Sequence, residues 1–185
     1  MCKAVFYILS IVAAFAFTTV ALGQSEQYKI GRPATAEEIR KLDISVAPDG
    51  TGLPKGSGTV NEGRRVYESL CANCHGDRGQ GISPYPALAG GQGTLKSDAP
   101  VRTVGSYWPY ATTVWDFIHR TMPYTRPGTL DANQTFAVTA FVLYLNGILD
   151  KDAAVDERTL PRVKMPNRNG FVPDPRPDVP KKTVR

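Results

Sequence analysis

Three stretches of the chain repeat apolar residues with the period of a helix, and the long segments between them do not. Over residues 59–70, Val66, Tyr67 and Leu70 recur at spacings of three and four, which predicts a helix leading into Cys71. Residues 110–121, Tyr-Ala-Thr-Thr-Val-Trp-Asp-Phe-Ile-His-Arg-Thr, predict a second helix. It stops at Met122-Pro123, because a proline ring clashes with the preceding turn and brings no N–H. The third helix has the clearest start. Asp131-Ala132-Asn133-Gln134 pairs a capping residue with a glutamine three positions on. Phe136, Val138, Phe141, Val142, Leu145 and Leu149 then supply an apolar face, and Gly147 helps to stop the helix. Between the first two helices, residues 76–93 hold too much glycine and proline for regular helix.

The flanks read differently. Residues 24–58 form an N-terminal extension in which Thr35-Ala36-Glu37-Glu38 is a capping box for a short helix reaching about Leu42. Pro48-Asp49-Gly50-Thr51-Gly52-Leu53-Pro54 and Gly56-Ser57-Gly58 follow as turn chemistry. Such a segment buries little and lies over the surface of the next domain. Beyond Asp150 the chain turns polar, then proline-rich through Pro161, Pro166, Pro173, Pro175, Pro177 and Pro180. That tail has no periodicity and too little apolar surface to pack by itself. The expected organisation is therefore a leader at 1–23, an N-terminal extension at 24–58, an all-α domain at 59–150 and a C-terminal extension at 151–185. For three helices and long glycine-rich loops, a protein-only core would be thin.

The first residues explain the leader. Lys3 precedes an uncharged run over residues 4–22, and Ala21-Leu22-Gly23 gives a small-residue site before Gln24, the pattern of a secretory signal peptide. The run is nearly long enough to span a bilayer, so an uncleaved anchor is the alternative. Either way the rest of the chain is expected outside the cytoplasm, in the periplasm, with no membrane span after cleavage. Losing residues 1–23 removes only Lys3 among charged residues, taking the formal charge from +5 to +4. No Lys/Arg stripe interleaves with aromatic residues, which argues against nucleic-acid binding. Cys2 goes as well, leaving Cys71 and Cys74.

Two cysteines in an exported chain would ordinarily read as one disulfide. The next residue changes that. Cys71-Ala72-Asn73-Cys74-His75 is C-x-x-C-H, the pattern that attaches haem c. Two thiols reach the two vinyl groups on one porphyrin edge and form thioethers, and His75 then lies under the iron as proximal ligand. A thioredoxin-like motif would need a βαβ context. A zinc site needs four ligands, and the chain has two histidines in all. One covalent haem is the expected cofactor. For the sixth ligand, Met122 sits on an irregular turn between two helices and is preferred. His119, Met165 and an open position are the alternatives, and a lone methionine is otherwise apolar filler. His/Met ligation gives a higher potential than bis-His. The cluster Tyr107, Trp108 and Tyr110 reads as packing against the haem edge. The Trp108 N–H or a tyrosine hydroxyl bonding a haem propionate is the other reading, with Arg102 a further propionate candidate.

Over residues 59–149 the chain resembles the class I cytochrome c family through Gly63 and Tyr67, residues 71–75, Pro86-Ala87-Leu88-Ala89-Gly90, Met122-Pro123, and Tyr144 with Leu145. The resemblance implies that Gly63 lets the C-terminal helix cross closely near Tyr144. It also implies that the Pro86 carbonyl accepts the His75 Nδ1 proton. A more specific likeness runs almost the length of the chain after residue 23. Its strings are Ile30-Gly31-Arg32-Pro33-Ala34-Thr35, Pro48-Asp49-Gly50-Thr51-Gly52-Leu53-Pro54, Gly90-Gly91-Gln92-Gly93-Thr94-Leu95, Gly105-Ser106-Tyr107-Trp108-Pro109-Tyr110, and Met165-Pro166-Asn167 with Gly170-Phe171-Val172-Pro173-Asp174. In these the chain resembles the SoxD cytochrome subunits of bacterial sulfane dehydrogenases, with sulfite dehydrogenase cytochromes as close rivals. That likeness implies a molybdenum-cofactor dehydrogenase subunit as partner, a downstream cytochrome or oxidase as acceptor, and an electron-transfer rather than catalytic role. The well-known SoxD form carries a second haem domain, whereas this chain has one C-x-x-C-H and corresponds to the single-haem part. The extensions are expected to wrap the partner or else to be plain tails. A free, diffusible cytochrome is the alternative function, and a haem peroxidase with His119 as distal residue ranks third.

Overall fold

The computed structural model describes residues 31–178. The expected signal segment and Ile30 lie outside the described residues. The described residues divide between Asp43 and Ile44 into two units. In the first unit, helix α1 (Ala36–Leu42) carries the capping box its sequence predicts. Thr35 Oγ1 accepts from Glu38 N at 3.2 Å, and the Glu38 carboxylate accepts from Thr35 N at 2.8 Å. Two turns of helix are marginal without such caps. The Arg32 guanidinium, ahead of the Thr35 bonds, holds the Glu38 carboxyl down at about 2. No residue of α1 is buried, and Ile39 and Leu42 face solvent.

The second unit is built on three helices, as the periodicity predicts: α2 (Val60–Leu70), α4 (Ala111–Thr121) and α5 (Ala132–Leu145), with a single turn, α3 (Ala72–His75), directly after α2. Thr59 with Glu62 caps α2, and Asp131 with Gln134 caps α5. Every residue of α5 from Thr135 to Leu143 is buried, so its apolar character runs all round and it forms the axis of the core. Helix α2 crosses it closely at Gly63. A Cβ there would run into the Ala137 carbonyl and come within 2.8 Å of Phe141 Cβ. The contact therefore falls on Ala137 and Phe141, a turn before the Tyr144 that the family resemblance implies.

Both flanks differ from expectation. Strands β1 (Ser57–Thr59) and β2 (Ala154–Asp156) pair antiparallel, with Gly58 opposite Val155. Three-residue strands, the first with a glycine at its centre, carry no usable period-two signal. A Cβ on Gly58 would overlap Ala137, so this ladder also lies against α5. The segment past Asp150, expected to have too little apolar surface to pack by itself, places Val155, Leu160 and Met165 in the core. Their spacing of five matches neither helix nor strand, which hid them in the sequence. Val46 is buried from the other flank. Its N–H donates to Asp116 Oδ1 at 3.0 Å, while Thr112 Oγ1 donates to the Pro48 carbonyl at 3.1 Å, and both bonds tie this strand of backbone to α4. No helix among the described residues is long and apolar enough to cross a membrane.

Two predictions follow from this packing. Gly63→Val forces the crossing apart and should cost about 3 kcal/mol, since overpacking a tight contact has a cost of that order. A denaturant titration measures it. The second concerns Asp156, whose Oδ1 accepts from Thr159 N at 2.7 Å, Thr159 Oγ1 at 2.9 Å and Arg158 N at 2.9 Å. Thr159 above all pulls this carboxyl from 3.8 to about 2. A carboxyl depressed in the folded state stabilises the turn above its unfolded pKa and ceases to do so as pH falls through its folded value. Asp156→Ala should therefore speed hydrogen exchange at residues 154–160 at neutral pH. The difference from the unaltered chain should shrink between about pH 4 and pH 2.

Candidate haem site

The end of α2 delivers the motif. Cys71 N donates to the Tyr67 carbonyl at 2.8 Å, closing the helix. The Cys71 carbonyl then accepts from both Cys74 N at 3.1 Å and His75 N at 2.9 Å, winding the motif into one turn. Residues three apart in such a turn share a face, so the two thiols lie on one side. Gly76, at φ 76°, breaks the turn in a conformation that suits glycine. Its carbonyl accepts from the buried Tyr67 hydroxyl at 2.8 Å. The chain then doubles back, with Gly81 N donating to the His75 carbonyl at 2.7 Å and Ile82 N to that of Cys74 at 3.1 Å.

His75 is 8% exposed, and its Nδ1 lies 2.9 Å from the Pro86 carbonyl. A carbonyl can only accept, so Nδ1 carries the proton and Nε2 keeps its lone pair. That tautomer is the one a metal ligand needs. Around these groups lies a cavity of about 540 Å³ whose wall includes Cys71, Cys74, His75, Pro86, Met122 and Trp108. Tyr67 from α2, Val114 from α4 and Val142 from α5 close it with apolar surface. Burial, with Cys74 adding to it, pushes the Cys71 thiol up to about 11. A thioether asks for no charge in this apolar wall.

Other predicted residues fall into two groups. Arg102 is on the cavity wall, while Tyr107 is not. Tyr107 packs edge-on against Phe171 at 5.3 Å, and its carbonyl accepts from Asn167 Nδ2 at 2.7 Å. Neighbouring side chains in the turn before Pro109 diverge, so Trp108 points to the cavity and meets Phe117 at 5.6 Å while Tyr107 joins the tail. Tyr110 lies under the Arg168 guanidinium at 4.5 Å. His119 stacks on Trp115 at 4.7 Å, and Met165 is buried in the core; neither lines the cavity. Among the described residues no group of three or more His, Cys, Asp or Glu side chains is placed to hold a metal ion.

A two-thiol wall, a His75 of the right tautomer and a large apolar void fit a covalently held porphyrin. The cytochrome c family model matches residues 60–146. The crystal structure of the sulfane dehydrogenase SoxCD from Paracoccus pantotrophus contains a chain 45% identical to this one, with a TM-score of 0.74, over 80% of this chain and 73% of that one. This chain belongs to the cytochrome c family. No curated protein matches it. It is a class I c-type cytochrome, and the cofactor is haem c. Bound haem supplies one-electron exchange at its iron. The protein supplies the apolar pocket and the Pro86 carbonyl that fixes the His75 tautomer. As a cytochrome it transfers electrons.

Sequence reasoning missed Asn146, Gln92, Thr103 and Ser106, which hold the loops round the cavity. Thr103 Oγ1 donates to the Gly90 carbonyl at 2.6 Å, and Ser106 Oγ to that of Val101 at 2.6 Å. Only the contacts made after folding distinguish these residues from ordinary loop polar groups. For the site itself, replacing both Cys71 and Cys74 with alanine should leave no haem on the chain after denaturing electrophoresis and haem staining. Either single variant should retain a stained band through its remaining thioether.

Proposed function

We propose that this cytochrome is the electron-transfer subunit of a periplasmic molybdenum-cofactor dehydrogenase that oxidises a sulfur compound. The observation that carries this reading is the extent of the likeness to the SoxCD chain. It covers 80% of this chain, more than residues 60–146 of the haem domain, and so takes in the extensions as well. A general electron carrier needs the haem domain alone. In this reading Cys71 and Cys74 hold the haem, His75 and Met122 are its axial ligands, and Trp108 and Arg102 serve the propionates. Met122 is favoured as sixth ligand because it lines the cavity, whereas His119 and Met165 do not. His/Met ligation gives a comparatively high potential, which suits an acceptor of electrons from a molybdenum centre. A downstream cytochrome or oxidase then takes them.

The extensions belong to the docking surface. Ile39, Leu42, Phe171 and Val172 are all exposed. Exposed apolar side chains near each end of the described chain suit a partner that covers them, as interfaces bury aromatic and aliphatic anchors. The test is to tag the C terminus, purify the protein from its native cells and assay the eluate for molybdenum. The expected result is a stoichiometric molybdenum subunit, with the haem reduced when sulfite or a sulfane donor is added. A lone red protein that no sulfur compound reduces would contradict the proposal and favour a diffusible carrier.

A further inference from the structure

We infer that Asn146, steadied by Gln92, is a positioning residue for the proximal histidine, acting through the loop that carries Pro86. The inference rests on the reading of His75 as iron ligand. Asn146 follows α5 as its C-cap and is 8% exposed. Both protons of its amide are used: Nδ2 donates to the Val142 carbonyl at 2.9 Å, within its own helix, and to the Leu88 carbonyl at 3.0 Å, across to the loop. Gln92 Nε2 reaches the Asn146 backbone carbonyl at 3.2 Å and its Oδ1 at 3.4 Å. Gly105 leaves room for the pair, since a Cβ there would overlap the Asn146 amide and come within 2.6 Å of Gln92 Nε2.

Leu88 lies two residues beyond Pro86. Its N–H, and that of Ala89, donate to the Gly79 carbonyl at 2.7 and 2.9 Å, and Val104 N joins Asn146 at the Leu88 carbonyl at 3.2 Å. The loop is thus clamped on one side by the turn after the haem motif and on the other by the end of α5. Backbone bonds make the first clamp and would form with many sequences. Asn146 makes the second from a side chain that no other residue type could replace atom for atom, donating twice while accepting from Gln92. A carbonyl that holds still gives His75 Nδ1 a short, steady hydrogen bond. That bond makes the imidazole a stronger donor and favours the ferric state. Loosening it raises the reduction potential.

The experiment uses the 15N-labelled holo-cytochrome in its ferrous state, comparing unaltered protein with Asn146→Ala and with Gln92→Ala. Gln92 is exposed, so its variant folds even where the buried substitution does not. The unaltered protein should show a slowly exchanging His75 Nδ1 proton. In Asn146→Ala it should exchange about tenfold faster relative to the amides of residues 141–143, the worth of one lost hydrogen bond. Gln92→Ala should give a smaller change in the same sense, and both variants should have a raised potential. An Nδ1 proton that speeds up only in step with the core amides, with the potential unmoved, would overturn the inference. So would an unchanged ratio in Gln92→Ala where Asn146→Ala does not fold. If the unaltered protein lacks an iron-bound His75 altogether, the ligand reading itself falls, a separate result visible before any variant is made.

Discussion

The close crossing of α2 over α5 at Gly63 is the constraint from which the rest of the haem domain takes its positions. Absence of a side chain lets the Ala137 carbonyl and Phe141 sit against the α2 backbone. Fixing the two helices at that point fixes their C-terminal ends as well. The end of α2 becomes the turn that presents Cys71, Cys74 and His75. The end of α5 becomes Asn146, which grips the loop holding Pro86. One crossing therefore sets both His75 and the carbonyl that orients it. The cavity between them is closed by α4, whose C-terminal neighbour Met122 lies on the same wall.

Burial and polarity around the cavity suit an apolar, covalently tethered plate. The His75 Nδ1 proton faces the Pro86 carbonyl, and the lining is largely carbon. Polar groups that are buried near it, among them Asn146, Thr103 and Ser106, find partners in backbone carbonyls rather than pointing into the void.

What could be read from the sequence was local. Capping boxes at Thr35 and Asp131 placed two helix starts, and the stop at Met122-Pro123 placed a helix end, because each signal sits within four residues of its effect. The spacing of Cys71, Cys74 and His75 is likewise one turn of chain. The hidden features span long separations: Gly58 opposite Val155, Val46 on Asp116, and Asn146 on Leu88. Val155, Leu160 and Met165 escaped because an irregular segment has no period to betray its buried positions. Tyr107 and Trp108 were grouped by adjacency in sequence, and a turn sent them to different neighbours.

The proposed ligation of one covalent haem by His75 and Met122 is open to direct measurement. Near-infrared magnetic circular dichroism of the ferric protein tests it most directly, because axial ligand pairs differ in their charge-transfer bands. His75/Met122 ligation predicts a low-spin His/Met signature that Met122→Ala abolishes. A bis-nitrogen or high-spin signature in the unaltered protein, or a His/Met signature that survives in Met122→Ala, would contradict it.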